Sequence, residues 1–388
     1  MSEAKPPALL LTPVVPAPEG SGRNLRAWAW LVELSTRYSV HVIVVGAPEA
    51  EAAEGFPAAS MRFVPVRPAR ETRWHRRLAK VLPLLVGREG FGTDWLQTLP
   101  GSDPVADLPD GLRPELVIVF RLSLHDVARP VFERFPDART GLDLDDFESR
   151  TRLSIAGAHW RLGRWRAGLH EVALWAQYGV AEQLLTRRYD SLYVAAPEDR
   201  TALAAKTGAE VSVFPNRLSA PEPSVGHAPR RLLFVGSLDY PPNELAARWL
   251  MEMAPTLLAR LPHLVPTIVG RRADDALRER LARCRGLDFF EDAVDLSPFY
   301  GSALAVLVPL QAGGGTKLKT IEAFAHARPV ISTGEGVRGL GAVAGRHYLA
   351  AETTTEFIAA VEKLAADPQF AQRLGQAGQV LWRERFSL

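Results

Sequence analysis

Leu307-Val308-Pro309-Leu310-Gln311-Ala312-Gly313-Gly314-Gly315-Thr316-Lys317-Leu318-Lys319-Thr320-Ile321-Glu322-Ala323-Phe324 reads as a buried strand that passes through three glycines into a helix. Glycine lets backbone N–H groups approach a ligand closely, and Thr316 is suited to cap the helix start. The unpaired N–H groups and positive dipole end of such a helix form an anion site. Lys317 and Lys319 add full charges where a diphosphate would lie. Glu322, about two turns in, can accept hydrogen bonds from both hydroxyls of a ribose. A lone triple glycine before two lysines is equally well read as an ordinary helix entry, and Glu322 as a solvated glutamate. The apolar neighbours Ile321, Ala323, Phe324 and Ala325 argue against a plain solvent face.

Outward from this segment, short apolar runs alternate with longer helical patterns along the whole chain, which means βαβ units and parallel sheets. The strands expected in the first half are 8–12, 40–45, 61–66, 115–120, 138–143, 191–195 and 210–214. In the second half they are 231–235, 265–269, 287–290, 304–309, 329–332 and 348–350. Most are apolar throughout, as in strands covered on both faces. Pro215, Pro221, Pro223 and Pro229 crowd the middle, where no helix or central strand can continue. The expectation is therefore two doubly wound domains, 1–217 and 218–388, facing one another across a cleft, with ligands at the carboxyl ends of the strands.

A chain of 388 residues suits two domains of roughly 150–200 residues each. Its 47% hydrophobic and 23% charged residues fit a globular class. A formal net charge of +2 argues against a general nucleic-acid binder. Cys284, the single cysteine, excludes a disulfide framework and fits a reducing compartment. No run reaches the roughly 18 residues of a membrane span, and no signal peptide is evident, so a cytoplasmic protein is expected.

Thr316 through Ala325, with Arg328-Pro329-Val330-Ile331-Ser332-Thr333 and Gly336-Val337-Arg338-Gly339-Leu340, resembles the donor site of family 4 glycosyltransferases. Those enzymes have the fold of two facing Rossmann-like domains known as GT-B. The resemblance extends to Leu233-Phe234-Val235-Gly236-Ser237-Leu238, to Val213-Phe214-Pro215-Asn216 and to Leu142-Asp143-Leu144-Asp145-Asp146-Phe147-Glu148-Ser149. It implies a transferase that moves a sugar from a nucleotide-diphosphate sugar to a glycan, lipid-linked or small-molecule acceptor, with the first domain on the acceptor and the second on the donor. It further implies retention of anomeric configuration and no metal or other cofactor. Glu322 corresponds to the second glutamate of the family's pair; Gly314 stands at the place of the first, and Ser237 at the place of a usual arginine. The phosphate-neutralising role then falls to Lys317 and Lys319. Without a carboxylate at 314, the expected chemistry is same-face transfer in which the leaving phosphate takes the acceptor proton.

The implied donor contacts are Gly22, Ser237, Asp292, Val294, Gly313, Gly314, Gly315, Thr316, Lys317, Lys319 and Glu322. His125, after the strand 115–120, joins Lys317 and Glu322 as a catalytic candidate, and a helix residue without a role is its plain alternative. Arg23, Arg121, Asp143, Asp239 and Asn243 are acceptor or cleft candidates, each also readable as a loop or cap residue. Gly20-Ser21-Gly22-Arg23-Asn24 opens a helix that places Leu25, Trp28, Leu31 and Leu34 on one face. Asp143-Leu144-Asp145 has metal-binding spacing, but in a GT-B protein the helix end and lysines take the phosphates, so no metal is expected.

Between 62 and 88, eight basic residues share a stretch with Trp74, Leu78, Val81 and Leu85 on one helical stripe. It reads either as a peripheral contact with the inner face of an anionic membrane or as a helix over the first sheet with a solvated basic face. Two rival functions share the donor chemistry: a nucleotide-sugar epimerase of the same fold, and a non-catalytic nucleotide-sugar-binding partner. A dinucleotide-dependent dehydrogenase is disfavoured because Leu25 replaces the third glycine of its fingerprint. In this fold the last helix usually braces the first domain, so the end after Phe386 is expected to be short.

Overall fold

The computed structural model describes residues 5–46, 56–68, 96–98, 102–106, 108–221 and 229–388. The chain divides into two compact units, Met1–Ala156 with Arg166–Arg217, and Gly157–Trp165 with Leu218–Leu388. Each is built on a parallel sheet.

In the first unit, β1 (Pro7–Thr12), β2 (Ser39–Val45), β3 (Ser60–Val64), β6 (Leu116–Phe120), β7 (Arg139–Asp145), β8 (Ser191–Val194) and β9 (Val211–Val213) form one sheet. Its order is β3-β2-β1-β6-β7-β8-β9, all parallel. Leu9, Leu11, Val117, Val119 and Leu142 are buried on one face, and Leu10, Val42, Val44 and Ile118 on the other. The two-faced burial explains why these strands lack polar alternation. A small antiparallel pair, β4 (Val66–Pro68) with β5 (Leu96–Thr98), lies outside this sheet and was not anticipated.

In the second unit, β10 (Arg231–Ser237), β11 (Val265–Arg271), β12 (Asp288–Glu291), β13 (Ala303–Val308), β14 (Val330–Ser332) and β15 (Leu349–Ala350) follow the order β12-β11-β10-β13-β14-β15. Counted from β10 this is 3-2-1-4-5-6, the doubly wound nucleotide-binding order. Its direction reverses between β10 and β13, which are parallel neighbours. In doubly wound sheets ligands bind beyond the carboxyl ends of the strands at such a switch point. The triple glycine follows one of them, and Ser237 ends the other.

The helices are α1 (Gly22–Ser35), α2 (His125–Arg134), α3 (Glu148–Arg161), α4 (Trp165–Leu185) and α5 (Pro197–Thr207), then α6 (Pro241–Arg260), α7 (Asp275–Ala282), α8 (Ser297–Gly301), α9 (Leu318–Ala325), α10 (Thr354–Ala366) and α11 (Pro368–Arg385). Ser21 caps α1, with Asn24 closing a reciprocal capping box. The buried face of α1 includes Arg26 and Trp30 as well as Leu25, Leu31 and Leu34; Trp28 is only partly covered, against Phe56. That departs from the expected stripe, because a buried charge has replaced an apolar residue. The last helix, α11, packs on α9 within the second unit. Leu218 pairs with the chain end beyond it: its N–H donates to the Phe386 carbonyl at 2.8 Å, and its own carbonyl accepts from Leu388 at 3.1 Å.

Among the described residues no helix is long and apolar enough to cross a membrane. Of the basic stretch 62–88, residues 69–88 lie outside the described residues; Arg62, in β3, donates to the Asp103 carbonyl at 3.0 Å.

Candidate active site

The site grows from the end of β13. Gly313 has φ +135° and Gly315 φ +56°, so the chain reverses through conformations that an L side chain rarely adopts. The helix starts later than expected. Lys317, not Thr316, is the boundary residue, and α9 begins at Leu318 with no side chain capping it. Thr316 is instead buried, because the left-handed Gly315 delays the first helical turn. The first N–H groups of a helix have no partner within it, and the boundary residue Lys317 places no side-chain cap on them.

Lys317 is almost wholly buried and holds the turn together. Its ammonium donates to the Gly314 carbonyl at 2.8 Å and pairs with Glu335 at 2.9 Å. Arg338 pairs with the same Glu335 and donates to the Gly313 carbonyl at 3.2 Å. Two cations and one carboxylate thus brace the glycine turn. This leaves a positive excess beside an uncapped helix start, the electrostatic requirement of an anion site.

Two residues on, Lys319 donates to the Asn243 side-chain oxygen at 2.5 Å and lies 4.3 Å from the centre of the Phe234 ring. Burial, with Lys317 nearby, pushes its ammonium down to about 7. That shift weakens the hold on the full charge expected at Lys319 in the unliganded protein. Asn243 also donates to the Ser237 carbonyl at 2.8 Å. Gly236 fits beneath this pair because a Cβ there would stand 2.9 Å from Asn243 and 3.0 Å from the Lys319 amine. The Ser237 hydroxyl bonds Asp239 at 2.6 Å. The loops after β10 and β13 thereby meet at the switch point, bringing Ser237, Asn243, Gly313, Lys317 and Lys319 together.

Glu322 follows on the same helix and accepts a hydrogen bond from the Tyr300 hydroxyl at 3.0 Å. Burial raises its carboxyl above the usual range, while Tyr300 and Lys319 work against that rise. Asp292 and Val294 lie in the loop after β12. Asp292 has φ +53°, its N–H donates to the Gly270 carbonyl at 2.8 Å, and Val294 is fully exposed. Glu291, at the end of β12, is spent on Arg278 at 2.7 Å.

In the first unit the candidates are tied into the scaffold. Asp143 is wholly buried. It accepts both Arg26 bonds at 2.7 Å, the Trp30 indole at 2.6 Å and the Asp145 N–H at 2.9 Å. Those four donors saturate a carboxylate. Diverting it to a substrate would break this buried ion pair and leave Arg26 the longer contact with Asp145 at 3.3 Å. The rest of the guanidinium donates to the Phe214 carbonyl and the Asn216 side chain. Arg121, at φ +89°, pairs with Asp145 at 3.1 Å and with Glu148. His125 opens α2 but faces inward: it is 2% exposed, and its Nδ1 lies 2.9 Å from the Tyr189 hydroxyl. Burial lowers its pKa, favouring the neutral ring. The structure therefore does not gather His125, Arg121 or Asp143 with an exposed group. Gly22 is the first residue of α1 and Arg23 is exposed beside it. Among the described residues no group of three or more His, Cys, Asp or Glu is arranged to hold a metal ion.

Sequence reasoning missed Arg26, Tyr300, Glu335 and the role of Arg338. Glu335 and Arg338 carried a signal, opposite charges three residues apart in a glycine-rich segment. Tyr300 and Arg26 carried none, because only the fold brings their partners near.

Two doubly wound parallel-sheet units, the second in the 3-2-1-4-5-6 order with an anion-ready turn at its switch point, define the GT-B fold. Residues 229–367 match the family model described as glycosyl transferases group 1. Solved structures are similar across the whole chain. Sucrose-phosphate synthase from Thermosynechococcus elongatus has a TM-score of 0.64 at 17% identity over 99% of this chain and 95% of that one. The Anabaena protein HepE, solved with UDP and glucose, gives 0.61 at 13% over 98% and 95%. The pneumococcal O-GlcNAc transferase GtfA, solved with UDP and GlcNAc, gives 0.64 at 12% over 98% and 96%. No curated protein sequence matches the chain.

Proposed function

We propose that this chain is a retaining glycosyltransferase that takes its sugar from a nucleotide diphosphate held in the second unit. The observation that carries the reading is the α9 entry. There a glycine turn braced by Lys317, an uncapped helix start, Lys319 and Glu322 follow one another beyond the switch point between β10 and β13. The diphosphate lies over Gly313, Gly314, Gly315 and Thr316, the ribose reaches Glu322, and the base lies toward the Asp292 and Val294 loop.

Sugar transfer requires stabilising the charge that develops on the departing diphosphate while the sugar becomes oxocarbenium-like. Fixed N–H dipoles and lysines supply this without reorganising at the moment of reaction. No carboxylate stands at position 314, so the leaving phosphate oxygen takes the acceptor proton on the same face, and configuration is retained. Incubation with a panel of nucleotide sugars, beginning with uridine donors because HepE and GtfA were solved with UDP, tests the reading. Release of nucleoside diphosphate with an unchanged anomeric centre by NMR is expected. An inverted product, or release from no donor, refutes it.

The Lys319 amine makes donor affinity depend on pH. Facing it are Lys317, which opposes its protonation, Glu322, which favours it, the Asn243 oxygen and the Phe234 ring. Below about 7 the ammonium already carries its charge. Above that, a bound diphosphate must draw a proton onto it, so affinity falls as pH rises. Calorimetric titration of a nucleotide sugar should show binding weaker at pH 8.5 than at pH 6.5 by on the order of tenfold, and Lys319→Met should flatten that slope.

A further inference from the structure

Tyr300 is 1% exposed and sits on the short helix α8. Its ring stacks on His326 at 4.3 Å and 8°. His326 lies one turn beyond Glu322 at the end of α9, and burial pushes its imidazole down to about 4, so it is a neutral platform. The stack fixes the phenol ring, and the hydroxyl then meets the Glu322 carboxylate at 3.0 Å.

Glu322 is desolvated, which favours its protonated form. A protonated carboxyl has lost acceptor capacity, and a pair of ribose hydroxyls needs an acceptor. A hydroxyl that donates to one carboxylate oxygen stabilises the charged form and orients the other. Tyr300 also follows the loop that contains Asp292 and Val294, and its N–H bonds the Leu296 carbonyl at the end of that loop. The loop on the base side and the carboxylate on the ribose side are therefore joined through one tyrosine, its backbone N–H on the first and its hydroxyl on the second.

We propose that Tyr300 is a positioning residue for ribose selectivity: its hydroxyl holds the Glu322 carboxylate ionised and aimed, and through it the site distinguishes ribonucleotides from nucleotides lacking sugar hydroxyls. The inference rests on the donor-site reading above. A tyrosine kept only for packing would act through its ring, whereas this role belongs to its oxygen.

The experiment is calorimetric titration with UDP, ADP, GDP and CDP, followed by the 2′,3′-dideoxy counterpart of the tightest binder. Wild-type protein should prefer the ribonucleotide by on the order of 100-fold, since a site with a dedicated buried acceptor rejects an analogue that leaves it unpaired. Tyr300→Phe keeps the stacked ring and should bring the ratio below about tenfold, mainly through weaker ribonucleotide binding. Tyr300→Leu, which also lacks the hydroxyl, serves if the phenylalanine protein does not fold. A hydroxyl-free variant whose ratio stays within about twofold of wild type overturns the proposal alone. Wild-type protein that binds none of the four nucleotides overturns the donor-site reading, and this inference with it.

Discussion

Glu322→Ala should lower kcat/KM for the nucleotide sugar by on the order of 10³-fold while leaving the protein folded. In the proposed complex the carboxylate accepts two hydroxyl bonds, each worth about 1.5–3 kcal/mol because the acceptor is charged, and together they account for a loss of that size. The fold should tolerate the change. Among the described residues Glu322 holds no structural ion pair, and the Tyr300 hydroxyl that bonds it is the side-chain partner left unsatisfied. Steady-state kinetics beside a thermal melt check both halves. Activity within about threefold of wild type would remove Glu322 from the site.

The second large effect is expected at Lys317. Lys317→Ala should reduce kcat by about 10²–10³-fold, the usual result of removing one preorganised group from developing charge. The loss should fall mainly on kcat, because the ammonium is most needed as the phosphate departs. A change confined to KM would mean that Lys317 binds ground and transition states alike. Lys317 also ties the glycine turn to Glu335 and to two backbone carbonyls. Lys317→Met, which keeps much of the buried stem, therefore belongs beside the alanine variant.

Much of this architecture was legible in the sequence, for definite reasons. Strands buried on both faces announce themselves as unbroken apolar runs, and all thirteen expected strands are present with shifts at their ends. The small pair formed by β4 and β5 was illegible because three residues per strand carry no period. The glycine turn with its lysines and Glu322 was legible because local chemistry and helix spacing set it out in one segment. What could not be read was which charges would be spent internally. Asp143 has the look of a ligand, yet Arg26, more than a hundred positions away, saturates it. Phe214 and Asn216, at the start of the proline-rich middle, likewise meet Arg26. His125 lies after a strand end, where catalytic groups gather, but Tyr189 and the core of the first unit claim it. Lys319 appears in sequence as a second full charge; only its burial over Phe234 and beside Lys317 shows that its proton is loosely held.

A crystal structure of the complex with the tightest-binding nucleoside diphosphate tests the central claim most directly. Its phosphates should rest over Gly313, Gly314, Gly315 and Thr316 beside Lys317, with both ribose hydroxyls within hydrogen-bond reach of Glu322. Phosphates bound away from that turn, or a ribose that leaves Glu322 paired only with Tyr300, would contradict it.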